Sequence, residues 1–148
     1  MRLACASLFI AVIGAYAIAT FPSVERSATV LEGTVISNSF VRVVEGQGYK
    51  WELWKADITI SKVIKHDRQL GDRESLYYGQ DHREEWRSED GKFKGVKIYS
   101  RGCPARPEIM LGLNKRFYCV RVTVGDDKNI LLIPEDGWME EITSAPRP

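Results

Sequence analysis

Apolar and polar residues alternate along two long stretches of the chain, and alternation with a period of two predicts β-strands with two distinct faces. Residues 116–124 place Arg, Tyr and three Val on one face, with Phe, Cys, Arg and Thr on the other. Residues of these β-branched and aromatic types favour strands. Residues 49–64 form the second such stretch. Residues 28–44 predict a long strand or a hairpin, with Gly33 at a bulge or bend. Shorter strands are predicted at residues 74–78, 96–99 and 129–133.

The strand at residues 49–64 contains a change of phase. Its apolar residues fall into two sets of opposite parity, a short one and a longer one: Tyr49, Trp51 and Leu53 against Trp54, Ala56, Ile58 and Ile60. A single core takes both sets only if a bulge lies near Leu53 and Trp54. The longer set has the larger apolar area and is the better candidate for the core.

The short set, Tyr49, Trp51 and Leu53, is therefore predicted to be an exposed partner-binding patch. Exposed apolar patches often mark interaction sites, and Tyr and Trp are enriched at binding hot spots. On this interpretation Trp51→Ala costs less than about 1 kcal/mol, as surface changes usually do. Trp54→Ala then costs about 3–5 kcal/mol, as expected for a large core side chain.

Residues 80–95 are almost wholly polar, and their pattern is compatible with two structures. Asp81 and Glu84 have the spacing of a capping box, and Gly91 would end a helix of about two turns. Asp90-Gly91 is equally typical of the tip of a β-hairpin. The sequence therefore leaves this segment open between helix and hairpin.

Five or six strands with little helix predict a mainly β domain over residues 28–143, in the form of a small OB-like barrel. One or two short helices complete it. One of them is predicted to begin at Asp136, whose side chain would cap it, and to carry Trp138 and Ile142 on one side. Residues 144–148 are predicted to be a frayed tail.

The N-terminal residues predict export. Residues 3–24 contain no charged side chain and follow Arg2, a pattern typical of a secretory signal peptide over residues 1–19. Residues 20–27 are then a polar lead-in. The alternative is an uncleaved anchor, since a membrane helix needs roughly 20 apolar residues. Either way Arg2 keeps the N-terminus inside, and the domain is predicted to be extracellular or periplasmic, with tethering through residues 3–24 in the second case.

The charge balance argues against two classes of partner. The chain has 21 Lys and Arg against 20 Asp and Glu, and removal of Arg2 with the signal peptide leaves the rest neutral. General attraction to nucleic acid or to anionic lipid depends on an excess of basic side chains. A nucleic-acid partner is therefore not expected.

Cys103 and Cys119 are the only cysteines outside the N-terminal segment. In an exported chain two cysteines predict a disulfide, which would stabilise the fold by about 3 kcal/mol in the chain-entropy model. The alternative is two buried reduced thiols. The same residues weigh against an immunoglobulin-like sandwich, which usually has a Trp between its two cysteines. None of the four Trp residues lies between Cys103 and Cys119.

Several segments of the domain share loose patterns with one known family; they are residues 30–35, residues 56–65, Cys103-Pro104, residues 112–118 and Ile133-Pro134. Together they resemble the netrin-like modules, an OB-barrel family that includes the tissue inhibitors of metalloproteinases. The resemblance covers nearly the whole predicted domain. It implies an OB fold and an extracellular, partner-binding function.

One departure from this family bears on mechanism. The metalloproteinase inhibitors begin the mature chain with a Cys-x-Cys that places the terminal amine on the target's zinc. In this sequence no cysteine lies between Ala6 and Gly102. The resemblance therefore does not carry that inhibitory mechanism over to this chain.

The segment around His82 is the main candidate for metal chemistry. His82 and Glu85 have an H-x-x-E spacing, with Asp81 and Glu84 beside them. On a helix, residues three apart face one way and would supply two ligands to zinc or a similar ion. The alternative is a solvated polar loop, because the whole chain has only two histidines to complete such a site.

Other candidate sites are weaker. His66 and Asp67 are adjacent, and neighbours at a strand end point apart, which argues against a catalytic dyad. Phosphate-loop, nucleophile-elbow and H-E-x-x-H motifs are absent from the sequence. Lys50-Trp51 and Trp54-Lys55 place aromatic beside basic residues, as in OB folds that stack nucleic-acid bases. Glu52 interrupts that basic run, and core packing is the alternative role for both Trp residues.

These observations predict an exported, non-enzymatic OB-like module that binds a protein or a cell-envelope component, without a cofactor. A second hypothesis is a small metal-dependent hydrolase centred on His82 and its acidic neighbours. A third is a purely structural envelope domain without a discrete site.

Overall fold

The computed structural model describes residues 22–99, 111–134 and 138–148, and β-strands make up most of this part. The strands are β1 (Thr29–Gly46), β2 (Tyr49–Lys65), β3 (Arg73–Arg87), β4 (Phe93–Tyr99), β5 (Asn114–Val124), β6 (Asp127–Ile133) and β7 (Met139–Glu140). The prediction of a mainly β fold is confirmed.

The described residues contain no α-helix, which corrects the prediction of short helices. Asp136 lies outside the described residues. The segment that follows it forms β7, which pairs antiparallel with β5 through Met139 and Glu140. Backbone hydrogen bonding to an existing strand thus replaces the helix expected from the spacing of Trp138 and Ile142, and Trp138 is buried against the core.

Five strands close a ring of hydrogen bonds in the order β1-β2-β3-β6-β5, and β5 returns to β1. The pairings are antiparallel except for β3 with β6, which is parallel. The ring closes because β1, with 18 residues, is long enough for two neighbours. Residues Thr29 to Thr34 pair with β5, and almost the whole length of β1 pairs with β2.

Gly33 lies where β1 comes closest to β2. A Cβ atom at this position would lie 2.4 Å from the carbonyl oxygen of Thr59 and 2.6 Å from Cγ2 of Ile58, so only glycine fits. The register of the β1–β2 pairing shifts between Glu32 and Gly33. The predicted irregularity at Gly33 is therefore confirmed, and its cause is close backbone approach.

Two clusters of buried apolar side chains take residues from opposite faces of β2 and β6. Alternate residues of β6 separate them: Leu131 and Ile133 belong to the first cluster, whereas Ile130 and Leu132 belong to the second. The first cluster is the larger and draws on β1, β2, β3, β5 and β6. The second contains Val44, Trp51, Leu53, Val124, Ile130 and Leu132.

The exposed patch predicted at Tyr49, Trp51 and Leu53 is wrong. Trp51 is 2% exposed and Leu53 is fully buried, because both enter the second cluster. Tyr49 is partly buried against the same cluster. The β2–β3 register runs from Trp51 to Thr59 without a shift, so β2 needs no bulge of its own. Each parity of β2 simply faces a different apolar cluster.

Trp54, predicted to be a core residue, is only partly buried. It packs against the first cluster and meets the half-exposed Phe40 edge to face, with ring centroids 5.8 Å apart. Its indole N–H donates to Glu52 at 2.8 Å. Of the two tryptophans on β2, Trp51 is therefore the more deeply buried.

Residues 80–95, left open by the sequence, form a hairpin. Strand β3 continues to Arg87, far beyond the short strand predicted at residues 74–78, and β4 pairs with its second half. Gly91 has a φ of 81°, a conformation that glycine adopts without strain, and its N–H donates to the carbonyl of Ser88. Hydrogen bonding across the hairpin compensates for its scarcity of buried apolar side chains.

The position of Trp51 predicts a large loss of stability for Trp51→Ala. Removing a large buried aromatic side chain costs about 3–5 kcal/mol. Phe40→Ala, at a half-exposed aromatic residue, should cost less than about 1 kcal/mol and is the control. Urea unfolding of the two variants checks this prediction, and equal small losses would show that the second cluster does not stabilise the fold.

Candidate functional site

The described residues expose an unusual row of apolar side chains on β4. Phe93 is 56% exposed, Val96 is 52% and Ile98 is 54%. Solvent-facing apolar residues are common singly, but three on one seven-residue strand form a patch. We call these three residues the β4 apolar row.

The register of the hairpin places the row on one face. Residues directly opposite each other in antiparallel strands point to the same side of a sheet. Phe93 lies opposite Arg87, Val96 opposite Glu85, and Ile98 opposite Arg83. The row is thus bordered by charged side chains of β3. Trp86, which is 64% exposed, alternates with Glu85 and Arg87 and so belongs to the other face.

Several of the hairpin's carboxylates are engaged in ion pairs. Glu85 lies 2.7 Å from Arg87, and Asp90 lies 3.1 Å from Lys92. Lys94 and Lys97 form no ion pair among the residues that the structure describes. The ammonium group of Lys97 lies 4.7 Å from the centre of the Tyr99 ring. Two lysines of β4 thus carry positive charge without a carboxylate at ion-pair distance among the described residues.

A polar cluster lies where the hairpin leaves the ring, and we call it the His82 cluster. His82 lies between two carboxylates, with Nδ1 3.2 Å from Glu52 and Nε2 3.0 Å from Glu84. Lys50 donates to Glu84 at 3.0 Å, and the Tyr99 hydroxyl donates to it at 3.3 Å. The hydrogen bond from Lys50, followed by that from His82, lowers the pKa of Glu84. The cluster joins β2, β3 and β4 and so fixes the base of the hairpin.

The residues proposed as metal ligands are separated by the hairpin geometry. On a strand, residues three apart face opposite sides, so His82 and Glu85 do not converge as they would on a helix. Glu85 binds Arg87 instead. Within residues 22–99, 111–134 and 138–148, His, Cys, Asp and Glu form no group of three or more suited to holding a metal ion.

His66 and Asp67 do not act as a pair. His66 is exposed just after β2. Asp67 instead accepts two hydrogen bonds from Arg121, at 2.5 and 2.7 Å, which lower the pKa of its carboxyl group. Thr29 also donates to Asp67. Asp67 therefore ties the end of β2 to β1 and β5.

The aromatic and basic residues at the centre of β2 do not form an open stacking platform. Trp51 is buried in the second cluster, and Trp54 stacks on Tyr78 with ring centroids 6.5 Å apart. Lys50 is drawn to Glu45 and Glu84, at 3.2 and 3.0 Å. These residues contribute to packing and to the His82 cluster.

Cys119 is a fully buried free thiol in the structure, packed in the first cluster. Burial raises the pKa of this thiol, which disfavours the reactive thiolate. Its predicted disulfide partner, Cys103, lies outside the described residues, so the disulfide stays a prediction.

A buried ionic cluster around Arg116 was not anticipated from the sequence. The Arg116 guanidinium donates twice to Glu32, at 3.2 and 2.8 Å, and lies 3.5 Å from Glu140. Tyr118 donates to Glu140 at 2.7 Å, and burial, followed by this bond, raises the pKa of the phenol. Two features of the sequence pointed to it: Glu32 interrupts an apolar strand, and Arg116 falls on the same face as Tyr118.

The same cluster holds the C-terminal segment, which was predicted to fray. The Arg147 side chain lies 2.5 Å from Glu140, and its backbone N–H donates to the Tyr118 hydroxyl at 3.3 Å. The Arg147 carbonyl accepts a hydrogen bond from Val24. Arg147 therefore links the segment after β7 both to β5 and to the residues before β1.

The β4 apolar row was overlooked because Val96 and Ile98 alternate like core residues. The sequence of the opposite strand, β3, indicates that these residues are exposed. Residues 81–87 are polar on both faces apart from Trp86, so β3 offers the row no apolar side chains to pack against. Taken together, the sequences of the two paired strands predict that the row is exposed.

Comparison with protein-family models, with curated proteins and with solved structures gives no match for this chain. In the described part of the chain, no helix has the length and apolar character required to span a membrane.

The Arg116 cluster predicts a large effect of Arg116→Met on stability. The change leaves the Glu32 carboxylate, whose side chain is only 8% exposed, without a counter-ion among the described residues, whereas Glu140 keeps Arg147 at 2.5 Å. Breaking a buried ion pair in this way costs about 3–5 kcal/mol. The control is Arg87→Met, in an exposed pair with Glu85, which should cost less than about 1 kcal/mol. Urea unfolding of both variants at pH 7 measures the difference, and similar small costs would contradict the prediction.

Proposed function

We propose that this chain is an exported, non-enzymatic binding module built on an OB-type barrel, and that its β3–β4 hairpin contacts a partner protein. The observation that carries the proposal is the β4 apolar row, three side chains each more than half exposed. Contiguous exposed apolar residues are disfavoured in soluble proteins unless they serve an interaction.

The ring of strands supports the OB-type assignment. The OB fold is a five-stranded Greek-key barrel, and here five strands form a closed hydrogen-bonded circuit. The first half of β3 belongs to this circuit, whereas its second half extends beyond the circuit and pairs with β4. The resemblance to netrin-like modules agrees with an extracellular module of this kind.

Export rests on the uncharged run at residues 3–24 behind Arg2. A neutral domain outside the cytoplasm has no general attraction for nucleic acid, which leaves proteins and envelope components as partners. In an oxidising compartment we also expect Cys119 to pair with Cys103.

A protein partner fits the hairpin better than a small molecule does. The row is exposed on a two-stranded hairpin beside Arg83, Glu85 and Arg87, whereas small ligands bind in concave sites that bury most of their surface. An apolar centre with a charged rim is the usual composition of a protein–protein interface.

The His82 cluster supports positioning of the hairpin more than catalysis. Both ring nitrogens of His82 already lie against carboxylate oxygens, and Glu84 is shared with Lys50 and Tyr99. This network joins three strands at the base of the hairpin. We infer that it holds the hairpin in a fixed orientation for binding.

Site-specific crosslinking tests the proposal. A photoreactive amino acid replaces Ile98 in the full chain, and the control places it at Ile36, which is 42% exposed on β1. In cells that produce the protein, illumination should yield one discrete crosslinked protein from position 98 and none from position 36. Each substituted chain should retain the unfolding midpoint of the unmodified protein. The proposal fails if position 98 gives no product, or if both positions give the same products.

A further inference from the structure

The outer edge of β4, which is the edge that does not pair with β3, indicates what kind of segment the partner would present. Among the strands that the structure describes, β4 pairs with β3 alone, so no described strand occupies its other edge. The edge of a strand presents alternating N–H and C=O groups that form a template for another strand. Lysines and bulges usually protect such edges, and both occur here: Lys94 lies at the register shift opposite Trp86 and Arg87. Residues 96–99 continue in regular register.

The charges next to this edge are all of one sign. Between Lys92 and Tyr99 the charged residues are lysines only. Lys94 and Lys97 have no carboxylate within ion-pair distance in the described part of the chain, although Glu84 lies directly opposite Lys97 in the register. Glu84 contacts Lys50 at 3.0 Å, and Glu85 contacts Arg87 at 2.7 Å. A strand docked on the outer edge of β4 would therefore lie next to two lysines, on a strand that has no carboxylate of its own.

We propose that this edge pairs with an extended segment of the partner protein in which acidic and apolar residues alternate. The inference rests on the proposed function and names the chemistry of its partner. Val96 and Ile98 point to one face of the hairpin and Lys97 to the other, since successive residues of a strand alternate. A paired segment with the same alternation would place its apolar residues beside Val96 and Ile98 and its carboxylates beside Lys97.

A second copy of the chain fits the edge less well. Pairing β4 with another β4 would bring the lysines of both copies onto adjacent strands, about 4.8 Å apart, without an acidic residue on either strand. Like charges on neighbouring strands destabilise the pairing. Charge complementarity thus favours a different, acidic strand.

An anionic membrane also fits less well. Lipid headgroups would neutralise Lys94 and Lys97 but cannot satisfy the ordered N–H and C=O groups of a strand edge. The hairpin also carries Glu84, Glu89 and Asp90, which anionic headgroups would repel. A peptide segment satisfies the edge and the lysines together.

Two capped nonapeptides of matched length are the probes, one alternating Val with Glu and the other alternating Val with Lys. Their binding to the full chain is measured by fluorescence anisotropy at low ionic strength. We expect the Glu peptide to bind and the Lys peptide to bind at least about tenfold more weakly, corresponding to about 1.4 kcal/mol. Raising the salt concentration should reduce this difference, since exposed charges are screened.

A charge reversal locates the site. The double variant Lys94→Glu and Lys97→Glu should lose the preference for the Glu peptide and gain one for the Lys peptide. The control Lys128→Glu changes an exposed lysine on β6 and should leave both affinities unchanged. Retention of the Glu preference in the double variant would place the interaction elsewhere and overturn the inference.

Three other results would also overturn it: binding of neither peptide, a stable dimer of the chain alone in sedimentation equilibrium, or binding to vesicles of anionic lipid in place of the Glu peptide. The proposed function is judged separately. A discrete crosslink from position 98, together with no preference between the peptides, would preserve the binding hairpin and reject only the acidic strand.

Discussion

The fold depends on β1 pairing with two strands at once. Its residues Thr29 to Thr34 lie between β5 and β2, and this double pairing closes the ring. It requires the close approach at Gly33, where any side chain would collide with the backbone of Thr59. The Arg116 cluster reinforces the same junction, because Arg116 on β5 binds Glu32 on β1 through two hydrogen bonds. Close backbone packing and a buried ion pair thus stabilise the same junction of β1 with its two neighbours.

Some parts of the fold could be predicted from the sequence, and others could not. Period-two alternation predicted β2 and β5 close to their true bounds, and the apolar run at residues 130–133, followed by Pro134, did the same for β6. Gly33 was predictable as an irregular position because glycine within a strand signals close approach. The second half of β3 was not predictable as a strand, because residues 81–87 are polar and hydrogen bonding to β4 determines their conformation.

The error at Trp51 has an equally specific cause. Alternation along β2 correctly placed Trp51 and Leu53 on the opposite face from Ala56 and Ile58. The predicted exposure of Trp51 was wrong because it assumed that the domain has a single core. Alternation along a strand shows which residues share a face, but it does not show which residues of other strands pack against that face. Ile130 and Leu132 cover it here, from a strand almost 80 residues away in sequence. The second cluster is a tertiary feature that local pattern does not reveal.

The proposed binding surface follows from the contrast between ring and hairpin. Both faces of β2 and β6 contribute residues to a buried cluster, whereas Phe93, Val96 and Ile98 of β4 are each more than half exposed. The second half of β3 is polar and lies opposite that row, so these side chains face solvent, and the His82 cluster anchors the base of the hairpin. The apolar residues of the chain thus divide into those that stabilise the ring and those that are free for a partner.

The most direct measurement is the free energy of unfolding of a triple variant, Phe93→Ser, Val96→Ser and Ile98→Ser, compared with the unmodified chain in urea. If the row serves binding, the three changes together cost less than about 1.5 kcal/mol, as expected at surface positions. A loss of several kcal/mol, as large apolar residues in a core give, would show that the row packs within the fold and would contradict the account.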